Sequence, residues 1–211
     1  MPSHPRRRTL GRSPGRVYAG AVETAAPEVT FRPLTRDDLP TLARWLAEPL
    51  VARWWSENSP DRVEQDFGPY LDDAQTECLV VIVDGEDVGM LMRYPIAAEP
   101  SGVDELARAG IEVPDGAWSM DYLIAEPAAR GRGAGAALAA RSVSEIWVRH
   151  PDASCVIVPV NIENPRSWGA LLRAGFRRLP DAELTPDNPG DTPLHAICRI
   201  DRPALGGAGT P

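Results

Sequence analysis

The chain has 211 residues, of which 43% are hydrophobic and 25% are charged, and it carries a formal net charge of −8. This length and balance are typical of one water-soluble globular domain, and no apolar run reaches the roughly 18 residues that a transmembrane helix needs. An acidic excess repels nucleic acid and anionic membrane surfaces, so we expect neither of them as a partner.

The first 27 residues differ in composition from the rest of the chain. Five of them are arginines set among proline, glycine and serine: Arg6, Arg7, Arg8, Arg12 and Arg16. The segment lacks the apolar centre of a secretory signal, so we interpret 1–27 as a disordered leader or an over-long start; the alternative is a tail that binds nucleic acid. Because this segment carries +4, the remainder carries −12. We expect a folded domain over 28–203 and a flexible tail over 204–211.

Cysteine and histidine usage speaks against both a disulfide framework and a metal site. The cysteines are odd in number, far apart and set in strand-like apolar runs: Cys78, Cys155 and Cys198. They are typical of buried apolar side chains in a reducing cytoplasm. The histidines show no metal-ligand spacing: His4, His150 and His195. We therefore expect no metal cofactor.

In the first third of the chain, the pattern predicts one strand and two helices. Residues 29–34 alternate in the manner of a strand, and Thr35 then caps a helix that Pro49 ends. The apolar face of this helix consists of Leu39, Leu42, Trp45 and Leu46. A second helix is predicted to begin at Ser59-Pro60-Asp61. Its expected buried stripe is Val63, Phe67 and Tyr70.

The rest of the chain is predicted to form a hairpin and then alternating helices and strands. Two apolar strands, 78–83 and 88–92, flank the turn 84–87. Residues 95–116 are expected to be a polar insertion with the acids Glu99, Asp104, Glu105, Glu112 and Asp115. The later elements are a strand 118–125, a helix 136–150, a strand 155–158, a helix 164–175 and strands near 176–179 and 194–200. This order predicts a mixed α/β (α+β) domain without an internal repeat.

A glycine-rich loop between the strand 118–125 and the helix 136–150 has the composition of a phosphate-binding loop. Its sequence is Arg130-Gly131-Arg132-Gly133-Ala134-Gly135. Glycines allow successive backbone N–H groups to face one point, the next helix adds its positive end, and the two arginines add charged donors for a diphosphate. The spacing matches neither the dinucleotide fingerprint nor the Walker loop. The alternative is a glycine-rich helix start that binds no ligand.

Two motifs resemble the GCN5-related N-acetyltransferase (GNAT) superfamily. Arg130-x-x-Gly133-x-Gly135 is similar to the family's CoA pyrophosphate loop, and Asn164-Pro165-Arg166-Ser167 followed by Ala174-Gly175-Phe176 is similar to its second CoA motif. The resemblance implies a central mixed, mostly antiparallel sheet flanked by helices, with a splayed strand pair that admits acetyl-CoA. The CoA contacts that it implies are Leu123, Ile124, Arg130, Gly131, Arg132, Gly133, Ala134, Gly135, Asn164 and Ser167.

Within that superfamily, the chain resembles the aminoglycoside 6′-N-acetyltransferases. The stretches that carry this resemblance are 51–55, with Trp54 and Trp55, and 119–123, with Asp121. It implies that Asp121 binds the acceptor ammonium and acts as general base, and that the tryptophans form a platform for a sugar. An amine must lose its proton to attack a thioester, which a nearby carboxylate can accept. The alternatives are a structural role for Asp121 and a core role for one tryptophan.

The chain departs from the family at two positions. Leu171 stands where many members have a general-acid tyrosine, and Pro159 stands where the aminoglycoside branch often has an aspartate. We expect direct transfer of acetyl to a primary amine of a cationic small molecule, most simply an aminoglycoside. The alternatives are an acetyltransferase for an N6-hydroxylysine-type siderophore or a protein N-terminus, and an inert CoA-binding module. Family members often pair, so the resemblance also allows a homodimer.

Overall fold

The computed structural model describes residues 26–55 and 60–204. The predicted leader, apart from residues 26 and 27, lies outside these ranges, as do Ser59 and the tail after residue 204. The first strand begins at Val29 and the last described strand ends at Asp201. The domain limits of 28 and 203 remain a prediction.

Eight strands in the described part of the chain form one sheet in the order β1-β2-β3-β4-β5-β8-β6, with β7 against β8. Their bounds are β1 Val29–Pro33, β2 Glu77–Val83, β3 Glu86–Pro95, β4 Ala117–Ile124, β5 Cys155–Asn161, β6 Arg177–Arg178, β7 Ala182–Glu183 and β8 Leu194–Asp201. Every pair is antiparallel except β4 and β5. The predicted mixed, mostly antiparallel sheet is confirmed.

The parallel pair β4 and β5 separates soon after it begins. Only Ala117 and Trp118 of β4 pair with β5, opposite Cys155 and Val156, although both strands continue for several residues. Pro159 of β5 lies in the diverging part and has no backbone N–H to donate, which a strand tolerates where a neighbour is missing. The gap between these strands is the predicted splay.

Six α-helices cover the two faces of the sheet in the described residues. Their bounds are α1 Leu39–Leu46, α2 Pro49–Ala52, α3 Val63–Asp72, α4 Pro100–Arg108, α5 Ala134–Arg149 and α6 Pro165–Arg173. The helices α1 to α3 pack on one face through Leu42, Trp45 and Phe67, and α5 with α6 pack on the other through Leu138 and Leu171. The sheet therefore separates these two apolar cores, and α4 contributes Leu106 to a third apolar cluster.

Three expectations about the helical regions are corrected by the structure. Pro49 does not simply end the first helix: α1 ends at Leu46, and Pro49 opens the short helix α2, which the Glu48 side chain caps. Tyr70 is not part of the buried stripe of α3, because its side chain faces outward while Phe67 is buried. The polar insertion 95–116 contains a 3-10 turn and the amphipathic helix α4.

The three cysteines are buried and unpaired, as predicted. Within residues 26–55 and 60–204, no group of three or more His, Cys, Asp or Glu side chains is arranged to hold a metal ion. No helix in the same ranges is both long and apolar enough to cross a membrane.

At Gly89 the backbone of β4 lies close to β3, and a side chain there should destabilise the sheet. A Cβ atom at this buried position would collide with the Leu123 carbonyl oxygen and lie 3.0 Å from the Ile124 Cα. We expect Gly89→Ala to lower the free energy of unfolding by about 1–3 kcal/mol, and therefore the melting temperature by about 3–10 °C. Gly190→Ala is the control in a thermal melt, because a Cβ at Gly190 meets no atom within 4 Å. Equal melting temperatures for the two variants would contradict the tight approach.

Candidate active site

Two cavities lie along β4. The first, about 620 Å³, is lined by β4 residues 122–124, the glycine-rich loop, α2 and α6, and is called the loop cleft. The second, about 550 Å³, is lined by Asp121, Tyr94, Glu99 and Glu105, among others, and is called the acidic cavity. One strand thus supplies neighbouring residues to both cavities.

The glycine-rich loop has the backbone conformation expected of a phosphate-binding loop. Gly131 and Gly133 have φ values of 75° and 90°, in the left-handed region that disfavours other residues. A Cβ at Gly131 would meet no atom within 4 Å, so conformation rather than space requires glycine there. Gly133 also forms the N-cap of the 16-residue helix α5. The first N–H groups of this helix have no intrahelical acceptor, and its positive end faces the loop cleft.

The guanidinium of Arg130 is held by groups of the protein itself. Its Nε donates to the Ile124 carbonyl at 2.8 Å, and its Nη2 donates to the Ala125 carbonyl at 2.7 Å and to Glu48 Oε2 at 2.6 Å. This contact lowers the pKa of the Glu48 carboxyl. Since Glu48 also caps α2, Arg130 joins the loop to the end of β4 and to the α2 wall of the cleft.

Arg132, the second arginine of the loop, also faces a carboxylate of the protein. Its Nη2 donates to Asp84 Oδ2, in the turn between β2 and β3, at 3.0 Å, and both side chains are exposed to solvent. The diphosphate contact predicted for Arg130 and Arg132 remains a prediction, and in this structure both guanidinium groups are paired with carboxylates.

On the opposite wall of the loop cleft, the second motif forms the start of α6. The Asn164 side chain caps this helix by accepting a hydrogen bond from the Ser167 backbone N–H at 3.2 Å. The Tyr122 hydroxyl lies 3.1 Å from Ser167 Oγ and donates to the Ser167 carbonyl at 3.3 Å. Burial raises the pKa of Tyr122 to about 12. The sequence motifs do not single out Tyr122, although the alternation of β4 points its side chain to the face opposite that of Asp121.

The structure places Trp54 and Trp55 at the loop cleft and not at the acidic cavity. The Arg53 guanidinium carbon lies 4.3 Å from the ring centre of Trp54, and the Trp55 ring centre lies 6.4 Å from that of Phe67. Both indoles are half-buried, so neither is a pure core residue. Their role as a platform for a sugar remains a prediction.

Asp121 is accessible to solvent and its carboxylate faces the acidic cavity, where neighbouring protein groups reduce its solvation. The Tyr94 hydroxyl donates a hydrogen bond to Asp121 Oδ2 at 2.9 Å. Burial raises the pKa of Asp121 to about 6, the Tyr94 hydrogen bond opposes this rise, and the charges of Asp187 and Glu99 reinforce it. A carboxylate with this pKa can both bind a cation and accept a proton near neutral pH.

Two of the five acids in the region 95–116 line the acidic cavity, namely Glu99 and Glu105. The Glu105 carboxylate accepts a hydrogen bond from the Thr185 backbone N–H at 2.5 Å, so it also anchors the segment after β7. Asp187 of that segment lies close enough to act on Asp121, and burial raises its own pKa. No local sequence pattern connects Asp187 with β4, so its place beside Asp121 is not predictable from the sequence.

Leu171 is fully buried in the core beneath α6. Leu171 lies one helical turn after Ser167 on the inner side of α6. Its side chain packs into the core and does not line the loop cleft. The structure therefore offers no hydroxyl at this position to protonate a leaving group.

Comparisons with known proteins agree on one fold. A family model described as an acetyltransferase (GNAT) domain matches residues 35–184. A comparison with curated proteins gives no match.

Several solved structures share this fold at low sequence identity. The aminoglycoside acetyltransferase AAC(6')-Ib, in complex with coenzyme A and kanamycin, has a TM-score of 0.66 and 23% identity over 83% of this chain and 95% of that chain. The Vibrio cholerae spermidine N-acetyltransferase, in complex with CoA and spermine, has a TM-score of 0.61 and 17% identity over 82% and 95%. The aminoglycoside N(6')acetyltransferase from Legionella pneumophila has a TM-score of 0.61 and 15% identity over 82% and 91%.

Proposed function

The chain belongs to the acetyltransferase (GNAT) domain family, and from this premise we propose that it transfers acetyl from acetyl-CoA to a primary amine of a cationic small molecule, with Asp121 as general base. The observation that carries the proposal is the position of Asp121. Its carboxylate opens into the acidic cavity, while the next three residues of the same strand line the loop cleft.

The loop cleft fits acetyl-CoA as a co-substrate. Backbone N–H groups at the N-terminus of α5 suit a diphosphate, and the two left-handed glycines let it approach the backbone. The separation of β4 from β5 leaves unpaired backbone groups on β4 that can bind the amide-containing arm of CoA. Along β4 this arm would run towards Tyr122, the residue next to Asp121.

In the proposed reaction, the acceptor enters the acidic cavity as an ammonium ion. Asp121 binds the ammonium ion and takes one of its protons. The neutral nitrogen attacks the thioester carbonyl carbon and forms a C–N bond, which leaves this nitrogen positively charged. As the C–S bond breaks, the nitrogen loses its second proton to solvent and becomes the amide nitrogen. The CoA sulfur leaves as a thiolate and then takes a proton from solvent. A thiol with a pKa of about 8.5 is a good leaving group at neutral pH, which is compatible with Leu171 in place of a tyrosine.

A polycationic acceptor is favoured by the charges around the acidic cavity. Glu99, Glu105 and Asp187 surround Asp121, and Arg108 is the basic residue among the cavity's lining residues. Residues 28–211 carry −12 in total, which steers cations towards the protein. Among polycations, we propose an aminoglycoside, on the strength of the resemblance at Trp54, Trp55 and Asp121. We also propose a cytoplasmic location, where unpaired cysteines stay reduced.

A panel of acceptors tests this proposal through the release of CoA thiol by the purified protein. We expect release with kanamycin-type and gentamicin-type aminoglycosides, and little with N6-hydroxylysine or a peptide N-terminus, because neither carries several positive charges. Spermidine is included because it is a polycation without a sugar ring. Release with spermidine alone would keep the cationic-acceptor proposal and discard the aminoglycoside. Silence with every amine, despite tight CoA binding, would indicate an inert CoA-binding module.

A further inference from the structure

We propose that Tyr94 is a positioning residue for Asp121: its hydroxyl fixes one carboxylate oxygen and directs the other towards the acceptor amine. The inference rests on the proposed function, in which Asp121 accepts the proton of the acceptor. It assigns a role to a residue that carries no recognisable motif and that lies 27 residues before Asp121 in the chain.

The sheet register brings Tyr94 and Asp121 together. In the antiparallel pair β3 and β4, Tyr94 lies opposite Ser119 and Met92 lies opposite Asp121. Tyr94 and Asp121 are therefore diagonal neighbours on one face of the sheet, a spacing that an aromatic side chain can bridge. Both side chains line the acidic cavity. Since both are anchored on paired strands rather than on loops, the hydrogen bond has a fixed direction.

The two carboxylate oxygens of Asp121 differ in their hydrogen bonding. Tyr94 donates to Oδ2 at 2.9 Å. Within the described residues, no donor is bonded to Oδ1, which is left for the acceptor. The charge of Asp121 and burial together raise the pKa of the Tyr94 phenol. The hydroxyl therefore stays protonated at every pH at which the base works, and it remains a donor throughout.

The hydrogen bond also counteracts the acids around Asp121. Burial raises the pKa of Asp121, and Asp187 and Glu99 add to that rise, while Tyr94 is the group that lowers it. Glu105 and Arg108 complete the charged groups that line the cavity. Without the Tyr94 hydroxyl, a larger fraction of Asp121 would be protonated at neutral pH, and the remaining carboxylate would lose its orientation.

The test compares the wild type with Tyr94→Phe, which keeps the ring and removes the hydroxyl. One readout is kcat/KM against pH, with acetyl-CoA and the best acceptor of the panel. The other is the titration of the Asp121 carboxyl by ¹³C NMR in the CoA-free protein, with the signal assigned through Asp121→Asn. A hydrogen bond to a charged carboxylate lowers its pKa by about one unit. We therefore expect its removal to raise both titration midpoints by about 1 pH unit. We also expect kcat to fall about 10-fold with an unchanged Kd for CoA.

Tyr70→Phe is the matched control, because it removes a phenol oxygen from the wall of the same cavity while the Tyr94–Asp121 bond stays. We expect it to leave both midpoints in place, whatever it does to the rate. Melting temperatures confirm that both variants are folded. A merely structural role for Tyr94 would lower activity by the same factor at every pH. Unchanged midpoints in Tyr94→Phe would overturn the proposal.

The NMR titration separates this inference from the proposed function. A wild type that acetylates no amine, combined with a titration midpoint that rises in Tyr94→Phe, would overturn the function and keep the contact. An active wild type with an unmoved midpoint would keep the function and overturn the role of Tyr94.

Discussion

Replacing Asp121 by asparagine is expected to lower kcat by about 10²–10⁴-fold, the usual contribution of a general base. Asparagine has nearly the same shape as aspartate, and its carbonyl oxygen can still accept the hydrogen bond that Tyr94 donates at 2.9 Å. The side chain can no longer take a proton from the acceptor or attract its charge. The Kd for CoA should stay unchanged, because the Asp121 side chain lines the acidic cavity and not the loop cleft.

Asp104→Asn is the control for this experiment, since Asp104 lies exposed on α4 and is not among the residues that line the acidic cavity. It makes the same chemical change and should keep the wild-type kcat. Thiol release and calorimetric titration with CoA provide the two measurements. If Asp121→Asn kept full turnover, the general-base role would have to be abandoned while the family assignment stood.

The pH dependence of the wild type follows from the same carboxylate. The pKa of Asp121 is raised to about 6, so the base is mostly protonated below that value and mostly charged above it. We therefore expect kcat/KM of the wild type to rise with pH through about 6. The residual activity of Asp121→Asn should not show this rise.

Local sequence was sufficient to predict the loop and the start of α6. Glycine at 131 and 133 indicates a left-handed backbone, and both residues have positive φ. Asn164 followed by proline indicates a capped helix start, and its side chain accepts the hydrogen bond from the Ser167 N–H. Such features depend on neighbours within a few residues, and the sequence displays all of them.

The environment of Asp121 could not be predicted in the same way. Its hydrogen bond comes from another strand, and Asp187 reaches it from a segment near the end of the domain. Arg130 gives a second example, because composition predicts a contact with phosphate, while its partner Glu48 lies 82 residues away in the chain. Long-range pairing of this kind is set by topology and not by any local pattern.

The helix α4 was missed for a different reason. Its residues include Gly102 and two acids, which are typical of a loop, and only Leu106 is buried. Pro100 at its first turn was a usable signal, because proline is favoured there. The helix matters for the site, since Glu99 at its N-cap and Glu105 within it both line the acidic cavity.

Replacing Gly133 by aspartate should weaken CoA binding on the order of 100-fold, because the variant sets a negative charge where a diphosphate is proposed to bind. A side chain has room at this position, since an added Cβ would meet only the Pro27 Cδ, at 4.0 Å. The left-handed backbone, with φ at 90°, adds a strain of about 1–2 kcal/mol. The loss of affinity should therefore come with a modest fall in melting temperature.

Gly110→Asp separates the charge at the loop from the strain of the backbone. Gly110 is exposed, has a φ of 78° and would meet no atom within 4 Å of an added Cβ. It lies at the end of α4 and does not line the loop cleft. This variant should show a similar fall in melting temperature with a wild-type Kd for CoA in a calorimetric titration. Normal CoA binding by Gly133→Asp would contradict the assignment of the diphosphate to this loop.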